Sequence, residues 1–231
     1  LRHDNILHAF IWKRITMNFS GKSPRLTGNA ERAIPKILLH EGGFVDHPND
    51  PGGATNKGIT IATFRRYIKP SGTVADLKSL TTAQAVIVYK RQYWDAVCAD
   101  MLPAGVDYAV VDFAVNSGPS RAAKYLQRIV GAVEDGAIGP ATLTAVKSKD
   151  AAKVINKLCD DRLAFMKRIR GGSLWKTFGK GWARRVSEVR SVSLNWAEAP
   201  VAPIPDHVPV VAAKPAGGFF AALMALFGGR T

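Results

Sequence analysis

The twenty residues from Glu41 to Thr60, EGGFVDHPNDPGGATNKGIT, interrupt an otherwise helical chain and hold five glycines, two prolines and three carboxylates. Proline lacks a backbone donor, and glycine loses more chain entropy in a helix than any other residue, so no regular helix runs through the stretch. It has to fold as a tight loop or a short β-hairpin. Glycine at this density lets the backbone approach a neighbour closely. That neighbour is either more protein, in a purely structural loop, or a ligand.

On both sides the pattern is helical. Thr27 and Asn29 can cap a helix through about His40 that Pro35 starts or kinks, with Ile34, Leu38 and Glu41 on one face at i, i+4, i+7. Thr81 and Gln84 form a capping box for a helix to about Tyr93. Pro103 suits the first turn of a helix running to Asn116 and stopped by Gly118. Ser120 opens the next, which Gly131 ends. Pro140 opens a short helix, Asp150 a longer one to about Arg170, and a last runs from about Leu174 to Trp196. The expected fold class is mostly α, with the glycine-rich loop or hairpin after the first core helix.

With 231 residues, 47% of them hydrophobic, the chain can bury a core as one compact domain or two small ones. Thirty-two Lys and Arg against eighteen Asp and Glu give a formal charge of +14. Such an excess calls for an anionic partner: nucleic acid, lipid headgroups or an acidic polymer. It is unevenly spread, with +4 in residues 1–25, +1 in 26–146, +9 in 147–190 and none in 191–231. Cys98 and Cys159 are too few for a disulfide framework and lack zinc-site spacing, so we expect buried thiols and no metal. Trp175, Phe178 and Trp182 recur at helical spacing and read as an apolar helix face.

The ends read differently. Residues 1–16 lack the cleavage pattern of a secretory signal and precede Met17, so we expect a natural start at Met17 and treat residues 1–25 as a disordered or non-native leader. Residues 198–218 are proline-rich and read as an extended linker. Beyond it, Phe219 to Phe227 is an apolar run far short of the roughly 20 residues that span a bilayer. This tail either packs back on the domain or touches a membrane surface.

Hydrolysis of a glycosidic bond needs one carboxylic acid kept protonated near neutral pH and commonly a second carboxylate that stays ionised. Glu41, ending an apolar stripe, suits the first role because desolvation favours the neutral form. A helix-end Glu exposed to water is the plain alternative. Asp50 and Asp46, in the polar loop, suit the second role. Tyr108, Asp112 and Asn116 recur at i, i+4, i+8 in an apolar helix, either as sugar ligands or as groups satisfying nearby backbone. Trp94 and Tyr93 are candidates for stacking on a sugar or for the core. Asn56 and Thr60 are candidate loop or substrate ligands.

The stretch from His40 to Thr60, HEGGFVDHPNDPGGATNKGIT, resembles the signature of the phage and bacterial N-acetylmuramidases of glycoside hydrolase family 108, which are lysozyme-like endolysins. The resemblance continues through Tyr93-Trp94 and through Asp112-Phe113-Ala114-Val115-Asn116-Ser117-Gly118. Beyond these, Leu126-Gln127 and Asp135-Gly136-Ala137-Ile138-Gly139-Pro140-Ala141-Thr142 are similar to the family's C-terminal peptidoglycan-binding domain. The similarity runs from about Asn29 to Trp196. It implies a catalytic domain over 26–118, a helical peptidoglycan-binding domain over 119–197, and outside them the 198–218 linker and the 219–231 tail.

The resemblance further implies that Glu41 is the catalytic acid and that no metal or organic cofactor is needed. Asp50 stands nine positions after Glu41, the separation of the two carboxylates in phage-type lysozymes. Those enzymes carry a Thr six positions later, where this chain has Asn56. The expected partners are peptidoglycan glycan strands and, through the apolar tail, a membrane surface, with no nucleic acid and a monomeric state. Synthesis in the cytoplasm would be followed by holin-type or specialised export to the wall. Two other classes compete: a non-catalytic wall-binding or secretion-accessory module, and a nucleic-acid binder. The latter gains from the +9 segment but lacks zinc spacing and a recognition helix.

Overall fold

The computed structural model describes residues 28–46 and 53–198. Thr27, Asp50, the leader, the proline-rich segment after Glu198 and the apolar tail lie outside the described residues.

Helix α1 (Ala30–Leu38) buries Ala30, Ala33, Ile34 and Ile37, the stripe its period demands. Asn29 stands at its N-cap but makes no side-chain cap; its amide instead donates to Asp107 Oδ2 at 2.6 Å. Pro35 lies inside the helix rather than at its start. The helix ends two residues before the expected His40. The amides of His40 and Glu41 then donate to the carbonyls of Ile37 and Leu38, at 3.0 and 3.2 Å. These short-range bonds tighten the chain and turn Glu41 inward.

The glycine-rich stretch contains the hairpin. Strands β1 (Thr55–Asn56) and β2 (Ile59–Thr60) pair antiparallel, with Thr55 opposite Thr60 and Asn56 opposite Ile59. Their two-residue turn has φ of 48° at Lys57 and 70° at Gly58. Two positive φ values in succession match the twist of the flanking strands, which is why Lys-Gly serves here. Val45 extends the ladder through mutual 2.8 Å bonds with Thr55.

Two short helices follow that the sequence reading does not contain. They are α2 (Ile61–Tyr67), capped by Thr60, and α3 (Val74–Lys78), opened by a Thr73/Asp76 capping box. Helix α4 (Thr82–Tyr89) carries the expected Thr81/Gln84 box, but its last turn widens into a π-helical turn over Lys90–Trp94. Helix α5 (Val106–Ser117) is buried along its whole length and stops at Gly118. Helix α6 (Pro119–Val130) ends at the left-handed Gly131. Helix α7 (Pro140–Lys147) has its proline in the first turn, and α8 (Ala151–Arg168) is capped by the Asp150 carboxylate, which accepts from the Lys153 amide at 2.9 Å. Helix α9 (Ser173–Glu198) closes the described chain.

Gln127 explains the Leu126-Gln127 and Asp135–Thr142 pattern. Its buried amide donates to Asp135, Ala137 and Thr142 and accepts from the Gly136 amide. One side chain thus ties the loop between α6 and α7, satisfying groups that burial would otherwise leave unpaired.

The core is continuous across both sequence segments. Helices α6, α8 and α9 all pack on α5. Phe113 of α5 meets the Tyr125 ring edge-on at 5.1 Å and Phe165 at 6.3 Å, and Tyr108 lies 4.9 Å from Trp196. The Arg32 guanidinium sits 3.9 Å over the Trp196 ring, so the end of α9 is fastened to α1. Among the described residues, no helix is long and apolar enough to cross a membrane.

Candidate active site

Glu41 is enclosed by the turn after α1 that presents it, by the β1–β2 hairpin, and by the buried faces of α4, α5 and α9. Its side chain is only 1% exposed. Gly58 makes this approach possible. A Cβ added there would stand 2.5 Å from the Tyr89 hydroxyl and 2.6 Å from Glu41 Oε2.

Burial is the largest influence on Glu41 and raises its pKa. Arg185 opposes it, Asp112 adds to it, and hydrogen bonds from Arg185 and Tyr89 favour the ionised form, but the net direction is upward. Tyr89 holds a single hydroxyl proton, which it donates to the Lys57 carbonyl at 3.0 Å. An ionised Glu41 would compete for that proton. A protonated Glu41 makes no demand on it and leaves the Lys57 bond whole.

Behind Glu41 lies a buried chain of ions. Arg185 Nη2 and Nε donate to Asp112 Oδ1 at 2.7 and 3.1 Å, while its Nη1 stands 3.5 Å from Glu41 Oε1. Arg162 Nη1 donates to the other Asp112 oxygen at 2.6 Å. Burial alone would raise the Asp112 pKa, but the two guanidiniums prevail and hold it far below the ordinary carboxylate range. Burial likewise pulls Arg185 down, and the charges of Asp112 and Glu41 more than reverse it.

The other expected site residues fall in different places. Asp46 is exposed. Asn56 is buried and donates to the Leu77 and Lys78 carbonyls, so it fastens the hairpin to α3 rather than facing a sugar. Thr60 accepts from the Thr63 amide as the cap of α2. Trp94 is fully enclosed, with its indole donating to Asp100 at 2.7 Å, so it has no face on which a sugar could stack. Asp112 is enclosed as well, and its oxygens are taken by arginines rather than by a ligand. Asn116 is buried and accepts from the Ser117 hydroxyl, while its Nδ2 has no hydrogen-bond partner.

Three residues of the site escape the sequence reading: Tyr89, Arg162 and Arg185. Both arginines lie in the +9 segment 147–190, whose basic residues are read above only through their net charge. A signal of burial was present, since Arg185 lies in register with Trp182, Val186 and Val189, and Arg162 with Leu158, Cys159 and Met166. Among the described residues, no group of three or more His, Cys, Asp and Glu side chains forms a candidate metal cluster.

The enclosed Glu41, beside a short hairpin in a helical fold, falls in the first of two segments that match known families. Residues 34–118 match glycosyl hydrolase 108, and residues 121–187 match a predicted peptidoglycan domain. The chain belongs to the glycosyl hydrolase 108 family, as a glycosidase directed at peptidoglycan and acting on the cell wall. It is 48% identical to a solved structure of Brucella abortus SagA, with a TM-score of 0.65, over 74% of this chain and 97% of that one. No curated protein matches it.

Proposed function

We propose that the chain is an N-acetylmuramidase that hydrolyses the β-1,4 bond between N-acetylmuramic acid and N-acetylglucosamine, with Glu41 as general acid. The observation that carries this reading is the enclosed Glu41 carboxyl, held toward its protonated form inside the matched hydrolase segment. A protonated carboxyl gives its proton to the glycosidic oxygen as the C–O bond breaks, and positive charge develops on the sugar left behind. With its side chain covered, Glu41 donates only once the glycan displaces part of that cover. Asp50 is the partner we assign for stabilising this charge or activating water, and Asp46 is its rival. Transfer by a positioned acid contributes typically about 10²–10⁴-fold.

Glu41→Gln keeps the shape and removes the proton. We expect wall lysis to fall by at least about 10²-fold, with folding and wall binding retained. Mass spectrometry of the ends released from purified peptidoglycan fixes the bond. Muramic-acid reducing ends support the assignment, while glucosaminyl or anhydro ends, or lysis by Glu41→Gln at the wild-type rate, overturn it.

A further inference from the structure

We propose that Arg185 is a positioning residue for Glu41, and that Asp112, itself held by Arg162, governs how much of the Arg185 charge the acid meets. The inference rests on the reading of Glu41 as proton donor and goes beyond it, because all three groups act through Glu41 and none needs to touch the sugar.

The distances set the hierarchy. Arg185 grips Asp112 through Nη2 and Nε, with its shortest bond at 2.7 Å, and gives Glu41 only Nη1 at 3.5 Å. A planar guanidinium fixed at two points by one carboxylate presents its third nitrogen in a set direction. Glu41 Oε1 is thereby oriented, yet most of the positive charge is engaged by Asp112. Arg162 makes one 2.6 Å bond to Asp112 and, lying 5.4 Å over the Phe113 ring, leaves its Nε and Nη2 buried without a hydrogen-bond partner. A buried cation so incompletely satisfied is costly, which argues that its role lies in Asp112.

The remaining groups around Glu41 bring little charge to it. Tyr89 of α4 and Tyr93 of the π-helical turn are pushed above the ordinary tyrosine value by burial first and by Glu41 next, so both stay neutral. His40 is held below its ordinary value by burial and then by Arg185, and so is neutral near pH 7. Glu188 of α9 lies 3.6 Å from His40 Nε2 and its side chain is 55% exposed, where water screens it. The charges that meet Glu41 are therefore Arg185 and Asp112, the latter held in turn by Arg162.

The test is the pH profile of peptidoglycan lysis for the wild type, Asp112→Asn, Arg185→Met and Arg162→Met, with folding checked by circular dichroism melts. Glu41 acts only when protonated, so the rate falls as pH rises through its pKa. Asp112→Asn exposes Glu41 to the undivided Arg185 charge, favours the ionised form and moves this limb to lower pH by about one unit or more. Arg185→Met removes the cation and leaves the Asp112 charge nearby, so the limb moves to higher pH. Arg162→Met, altered one link further from Glu41, moves it upward by less and decides the matter where the nearer variants do not fold. A residue that merely stabilises the fold would lower the rate without moving the limb.

Opposite shifts support the proposal. Unmoved limbs in the folded variants, or shifts of Asp112→Asn and Arg185→Met in the same direction, overturn it. A wild type without lysis, or full lysis by Glu41→Gln, overturns instead the reading of Glu41, so the two failures are distinguishable.

Discussion

Gly58 is to Glu41 what a missing side chain often is to a buried group: the space it stands in. Its φ of +70° suits the turn, and any Cβ would meet Glu41 Oε2 at 2.6 Å and the Tyr89 hydroxyl at 2.5 Å. Both neighbours are enclosed, so neither can swing away without breaking the Tyr89–Lys57 bond or the Arg185 contact. Gly58→Ala therefore displaces the acid. We expect lysis to fall by more than about tenfold, because a shift on the order of 1 Å in a reacting group can cost about a hundredfold, while the fold survives a penalty of about 1–3 kcal/mol. Turbidity of a wall suspension together with a thermal melt reads both. At this scale the sequence shows its chemistry unevenly. Glu41 was legible as a candidate for enclosure because it closes the apolar stripe of α1 and opens a glycine-rich loop. Trp94 and Asn56 were not, since a tryptophan that binds sugar and one that fills a core look alike until burial is known. Asp112 belongs with them: its helical spacing was visible, but not the two arginines that occupy it.

Helix ends were the most readable elements, because a cap is a local bargain between one side chain and one amide. Thr81 with Gln84, Asp150, Pro140, Gly118 and Gly131 all stand where their chemistry places them. Helices α2 and α3 were missed, being seven and five residues long and too short to show a period. The π-helical turn after α4 was missed too, since nothing in Lys90–Trp94 marks the change of hydrogen-bond register. How α5 meets α9 was equally hidden, and it hinges on one position. Gly105 opens α5 with φ of +82°, and a Cβ there would run into the Ser193 carbonyl oxygen of α9. A backbone atom within a long helix cannot yield as a side chain does. Gly105→Ala must therefore part the two helices or strain both, and we expect a loss of about 2–4 kcal/mol or failure to fold. A denaturant titration against wild type measures it, and an unchanged midpoint would show that α9 is held elsewhere.

Across the whole molecule, the two family segments are joined by chemistry as well as by packing. The contact between Arg185 and Glu41 spans 144 positions, a separation at which no sequence periodicity operates. It carries a residue of the matched peptidoglycan segment to an enclosed carboxyl of the matched hydrolase segment. The same segment supplies most of the net charge, and burial divides that charge into two populations. Arg162 and Arg185 are enclosed, whereas Lys147, Lys149, Lys153, Lys167, Arg168, Arg170, Lys176, Lys180 and Arg184 are exposed. Salt separates the two. The Debye length is about 8 Å at 0.15 M ionic strength and about 3 Å at 1 M, so exposed lysines lose their reach toward an anionic wall while enclosed ion pairs are little affected. Raising the salt should therefore weaken wall association, seen as a higher KM in lysis or less protein sedimenting with the wall. The kcat and the basic limb of the pH profile should stay in place, because Arg185 and Asp112 lie beyond the salt. A limb that moved with ionic strength would mean that water and ions reach the Glu41 network, whereas a KM insensitive to salt would show that the exposed basic face has no part in holding the wall.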